Sequence, residues 1–313
     1  MNAFRRLAVA CVVLMATALH AAEMQTFTLR PVLFIETHLY DGHLRAPEGI
    51  FVDDARKEIL VADSRNNLIG IFGFDGMPLF AFGSTKYIRE PRQVAVDPGG
   101  RILVLERDRT KIRLFNYRGV YLGDLVPPSL PGKGRIAAFA FGPNGLFYVA
   151  ETGSGEMLVY DYAAMTLKRR FGSSGDEEGQ FQSVASIAAD EKYIYVLDYT
   201  GLAVQVFTQR GDFVKGWGKH SMGGANFSLP HSIAVDPKGR IVTVDGLRHD
   251  IKYFNLEGEM IGHFGGPGIS PGRISFPTGV AVDASGRVYV SERGNSRVQV
   301  YEEETLEKPV PVP

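Results

Sequence analysis

Six acidic residues recur along the chain at near-even spacing: Asp63, Glu106, Glu151, Asp198, Asp245 and Glu292. Carboxylates gathered at one level of a closed assembly could hold a cation, because hard cations take several oxygen ligands. Asp or Glu at the start of a turn also accepts hydrogen bonds from nearby loop amides. Repetition in every copy favours this second role, since a metal site needs only a few such groups.

Another set of positions, aligned on the same repeat, differs from copy to copy: Glu48, Arg92, Ala137, Ala185, His231 and Thr278. Chemistry could therefore depart from scaffold here. Glu48 and Arg92 are suited to pair as carboxylate and guanidinium. His231 is a single imidazole where a catalytic zinc takes about three protein ligands. Glu48 is the only carboxylate of the set, short of what calcium coordination requires. The sequence has no Gly-x-Ser-x-Gly elbow, His-Glu-x-x-His helix or phosphate-cradling loop. We therefore expect no catalytic residue, no metal and no cofactor, and take Glu48, Arg92, His231 and Thr278 as binding candidates. A further basic group, Arg65, Arg107, Arg109, Arg248, His249 and Arg293, follows the recurring acids. Its members should gather on one loop face, with Arg65, Arg107, Arg248 and Arg293 as the binding candidates. Interspersed acids make part of that face a solvated rim. The loop over 219–229, with His220, Met222 and two glycines, suits either a contact surface or a connector.

The elements that must position these residues repeat with a period that strands can fill and long helices cannot. Short apolar runs end at Asp53, Asp97, Gly142, Asp190, Asp236 and Asp283, at intervals of 44, 45, 48, 46 and 47 residues. Such a period fits propeller blades. Turn sequences follow at once: Asp97-Pro-Gly-Gly100, Gly142-Pro-Asn-Gly145 and Asp236-Pro-Lys-Gly239. Pro fixes φ, and Gly or Asn tolerates the positive φ of a tight hairpin. Each repeat reads as four β segments rich in β-branched and aromatic residues, the fourth closing on pairs such as Phe82-Gly83, Phe171-Gly172, Trp217-Gly218 and Phe264-Gly265. The sixth repeat has no fourth segment after Tyr301. An extra strand-like piece over 27–37, interrupted by Pro31 as edge strands allow, can supply it through 32–36. The expected fold is all-β: a six-bladed β-propeller of four-stranded antiparallel blades, its ring closed by an N-terminal strand pairing into the last blade.

Arg5, Arg6 and the apolar run from Leu7 to Leu19 have the order of a secretory signal peptide, too short an apolar run to span a bilayer comfortably. Cleavage is expected after Ala18, Ala21 or Ala22. The expected organisation is a signal over 1–22, the propeller over 23–307 and a Pro-rich tail over 308–313. The only cysteine, Cys11, would leave with the signal, which excludes disulfides, thiol catalysis and covalent haem from the mature chain. Removing Arg5 and Arg6 from 34 basic residues leaves 32 against 35 acids, a formal charge near −3 without a nucleic-acid footprint.

Glu292-Arg-Gly-Asn-Ser-Arg-Val-Gln-Val-Tyr301 resembles the signature of NHL repeats: an acid, then Asn, then a basic, apolar, Gln, apolar, aromatic strand. The links over 171–181 and 264–274 resemble that family's Gly-rich connectors between blades. Asn recurs after the acid at Asn66 and is replaced in the middle repeats by Thr152-Gly-Ser-Gly155 and Tyr199-Thr-Gly-Leu202. The resemblance implies a six-bladed propeller that binds or assembles. Related propellers include the zinc-dependent peptidyl-hydroxyglycine lyases, which Pro230-His231-Ser232 resembles, and calcium-dependent gluconolactonase-like enzymes, which Ala46-Pro-Glu-Gly49 resembles.

The expected protein is thus an exported, periplasmic or secreted, non-catalytic binding or assembly module. Its partner would be another exported protein, a peptide or a polysaccharide, with no nucleic acid and no transmembrane anchor in the mature chain. The alternative is a metal-dependent lyase or hydrolase at the mouth of the central channel.

Overall fold

Each repeat folds into an antiparallel four-stranded meander because its three tight turns reverse the chain while alternate side chains point to opposite faces of the sheet. In blade 1 the strands are Pro47–Asp53, Glu58–Asp63, Leu68–Gly73 and Pro78–Phe82, innermost to outermost. The innermost strands of blades 2 to 6 are Pro91–Val96, Ile136–Phe141, Val184–Ala189, Pro230–Val235 and Pro277–Val282. Proline begins four of these six strands, tolerable at a strand's first residue where one edge is unpaired. This computed structural model describes residues 24–39, 42–83, 86–130, 134–220 and 224–312. The expected signal segment, with Cys11 and its three candidate cleavage sites, lies outside them, as does Met222.

The six sheets form a ring in chain order. Inner strands of neighbouring blades lie side by side, and across the joint between blades 2 and 3 the Gln93 amide donates to Phe139 O at 2.6 Å and accepts from Phe139 N at 3.2 Å. The apolar core is correspondingly divided into six layers, one per joint. Ile69, Phe82, Val94 and Phe115 fill the layer between blades 1 and 2, and Tyr195, Phe227, Ile233 and Phe254 that between blades 4 and 5.

The last blade takes three strands from the end of the chain, Pro277–Val282, Val288–Glu292 and Arg297–Pro311, and its outermost strand from the beginning, Met24–Ile35. The pairing starts earlier than expected, at Met24 in place of 32, and stops at Ile35, one residue short of the expected 36. Arg297–Pro311 runs through the acidic stretch and into the Pro-rich tail, and the register extends from Ile35 opposite Val298 to Met24 opposite Pro311. Arg30 holds the acidic stretch by pairing with Glu302 at 3.0 Å and with Glu304. Pro31 sits at a register shift, where its missing N–H breaks no ladder bond. Beyond the ribbon, Val312 packs against the layer between blades 4 and 5. Among the described residues no helix is long and apolar enough to cross a membrane.

Candidate functional site

The ladder between first and second strands slips at the same place in every blade. The skipped residues are Glu48 with Gly49, Arg92, Ala137, Ala185, His231 and Thr278. A bulge leaves its residue out of the ladder and re-aims the side chain, here at one end of the central channel. The positions that vary between repeats are therefore those the backbone frees from pairing.

At this mouth Glu48 accepts from Arg92 Nε at 3.4 Å and Arg107 Nη2 at 3.1 Å. Close backbone approach places the first pair: a Cβ on Gly49 would fall 2.5 Å from Arg92 O. Arg107 also pairs with Glu90 at 2.6 Å. Thr278 Oγ1 donates to Pro47 O at 2.8 Å, so it fastens blade 6 to blade 1. His231 Nδ1 shares a 3.2 Å hydrogen bond with the Tyr199 hydroxyl, while its Nε2 is buried without a partner. Burial holds the His231 pKa down to about 4, with Arg92 and then Arg293 depressing it further, so the imidazole is neutral at pH 7. Burial also raises the Tyr199 phenol, which stays protonated.

Three more arginines, Arg109, Arg135 and Arg293, line the same cavity of ≈ 390 Å³ together with Thr152. Their backbones are fixed. Arg109 O accepts from Ile136 N at 2.8 Å, Arg135 O accepts from Thr152 N at 2.9 Å, and Arg293 N donates to Phe276 O at 3.0 Å. Among the described residues none of the three side chains forms an ion pair. Beneath the mouth the channel opens into ≈ 360 Å³ lined by the inner strands of all six blades, with Ala137, Ala185, Ala234 and Val280 among its walls.

The recurring acids are spent on structure. Each is buried and clamps loop amides: Asp63 accepts from Arg45 N, Glu151 from Gly153 N and Ser154 N, Asp198 from Gln182 N and Thr200 N, Asp245 from Ser228 N and Leu247 N, and Glu292 from Ser275 N. Glu106 accepts from Arg89 N and pairs with Arg113 at 3.0 Å. The same Asp245 contacts tie down one end of the 219–229 loop. Among the described residues no three His, Cys, Asp or Glu side chains converge to hold a metal ion.

Of the candidates read from the sequence, Glu48, Arg92, His231 and Thr278 meet at the mouth, joined there by Arg107, Arg109 and Arg293 from the loop group. Arg65 and Arg248 do not line this cavity; Arg65 is exposed and Arg248 Nε lies 3.6 Å from Asp250. Sequence reasoning did not single out Arg135, Thr152 or Tyr199. Arg135 stands two residues before the aligned Ala137, a charge just outside the compared position, and that is the signal which could have found it.

Residues 275–301 match the NHL repeat. No curated protein matches the sequence. Among solved structures the chain is similar to virginiamycin B lyase from Staphylococcus aureus, at 15% identity and a TM-score of 0.58 over 90% of this chain and 89% of that one. At that identity the likeness is one of fold.

Proposed function

We propose that this six-bladed propeller, with its NHL repeat over residues 275–301, is an exported, non-catalytic module that binds an anionic ligand at the basic mouth of its channel. The observation that carries the reading is the convergence there of Arg109, Arg135 and Arg293, which have no acidic partner among the described residues, beside Arg92 and Arg107. Five guanidinium groups face the carboxylates of Glu48 and Glu90, an excess of three positive charges on a chain whose formal net charge is −1. A concave mouth concentrates such a field, and guanidinium forks match carboxylate and phosphate oxygens. An acidic peptide or an acidic sugar offers such groups, in keeping with the partner classes expected outside the cytoplasm. Export is supported by Arg5, Arg6 and the apolar run after them.

Calorimetric titration with citrate at low ionic strength tests the reading. The wild-type chain should bind, and the charge reversal Arg109→Glu, Arg135→Glu, Arg293→Glu should weaken binding by roughly a hundredfold, as loss of charge-assisted hydrogen bonds does. Undiminished binding by the triple variant would sink it.

One observation favours a metal-dependent lyase or hydrolase instead: the buried, unpartnered Nε2 of His231. Metal analysis decides, because that reading requires stoichiometric zinc or calcium that is lost with His231→Ala or Glu48→Ala.

A further inference from the structure

The unpaired arginines are not spread evenly around the mouth. Blades follow one another in chain order, so in a ring of six the third faces the sixth and the first faces the fourth. Arg135 leads into the inner strand of blade 3, and Arg109 lies against it, its carbonyl accepting the N–H of Ile136, the first residue of that strand, at 2.8 Å. Arg293 follows the second strand of blade 6, on the opposite side. Along this diagonal the mouth has two positive poles.

The crossing diagonal is different. On the side of blades 1 and 2, Glu48 and Glu90 together balance Arg92 and Arg107, so these four groups carry no net charge. On the blade 4 and 5 side stand the Tyr199 hydroxyl and the neutral His231 imidazole. An anion placed centrally would lie between the poles and reach neither well. A molecule with a charge at each end and an uncharged middle would satisfy both. The cavity of ≈ 390 Å³ is of small-molecule size.

We infer that the ligand of this mouth is a small doubly anionic molecule, one charged group met by Arg109 and Arg135 and the other by Arg293, with an uncharged spacer crossing the channel. The inference rests on the anion-binding reading above and narrows it to a ligand class. Arginine forks take carboxylates and phosphates in the same planar, two-pronged way, so either can serve at each end.

The test uses the full chain and two matched series of probes: the linear dicarboxylates from succinate to suberate, and the monocarboxylates with the same numbers of carbons. Calorimetry should find a dicarboxylate length that binds at least about tenfold more tightly than its monocarboxylate, the gain expected of a second charge-assisted contact. Arg135→Gln and Arg293→Gln should each erase most of that gain, so that the best dicarboxylate binds no more than about threefold more tightly than its monocarboxylate in either variant. Among the described residues both side chains lie outside the ion pairs, so both variants are expected to fold. Equal affinity of the two series at every length would overturn the inference and leave anion binding intact. Failure of both series and of citrate to bind would overturn both.

Discussion

His231 keeps a neutral imidazole among arginines, and that has a consequence for stability. Its pKa falls from the ordinary 6.5 to about 4 on folding, chiefly because burial disfavours the charged ring. A group whose folded pKa is depressed binds fewer protons when folded, so its contribution is fully present above pH 6.5 and is lost as pH falls towards 4. The loss should amount to about 3 kcal/mol across that window. Urea unfolding at several pH values should show this slope in the wild-type chain, and His231→Gln should flatten it. Among the lowered carboxylates, Asp53, Asp97, Asp250 and Asp283 act in a separate range: their folded pKa values lie below 3.8, so their contribution begins to fade only as pH approaches and passes that value. His231 was legible from the repeat alignment because the varying position stood out against constant turns. Its partner Tyr199 was not, since it sits one residue past a recurring acid and is brought to the mouth by a neighbouring blade.

At the scale of the element, one register position on the third strands does the same task in two blades. Gln205 and Gln299 each use their amide to clamp the incoming connector, at Gly179 N and Gln180 O and at Gly272 N and Arg273 O. Blade 1 has Gly70 at that position, and the gap is filled by His38, which arrives directly after the closing strand. A Cβ on Gly70 would fall 2.5 Å from the His38 ring, whose Nε2 donates to buried Asp63 at 2.8 Å. The closing strand is thereby latched onto blade 1 as well as blade 6. His38→Ala removes a donor from a buried carboxylate and should cost about 1–3 kcal/mol in a urea titration; an unchanged midpoint would mean that the latch contributes nothing. The closing strand itself could be read in the sequence, because a sixth repeat without its fourth segment calls for one. The latch could not, because a glycine shows only that a side chain is missing and His38 belongs to no repeat.

For the whole molecule, the period of turns carried the blade number, whereas the ties between blades are invisible to any single repeat. Tyr117 donates to Asp53 and Tyr162 to Asp97, each at 2.7 Å, and each joins a blade to the one before it. Those ties hold the ring closed around a channel with a mouth at each end. One mouth gathers Arg92, Arg107, Arg109, Arg135 and Arg293. At the other, by the far ends of the inner strands, Asp236 pairs with Arg240, Asp283 with Arg287 and Asp54 with Lys57, beside Asp190, Glu191, Lys192 and Lys238. An anion should therefore choose the mouth where, among the described residues, Arg109, Arg135 and Arg293 stand outside the ion pairs.

Soaking crystals of the full chain in selenate and locating selenium by anomalous scattering tests this most directly, with sulfur-containing methionine in the chain so that the anion alone contributes the signal. Selenium should appear at Arg109 and Arg135, and across the channel at Arg293, and be lost in the variant that reverses all three charges. Selenate bound elsewhere on the surface, with this mouth vacant, would contradict it.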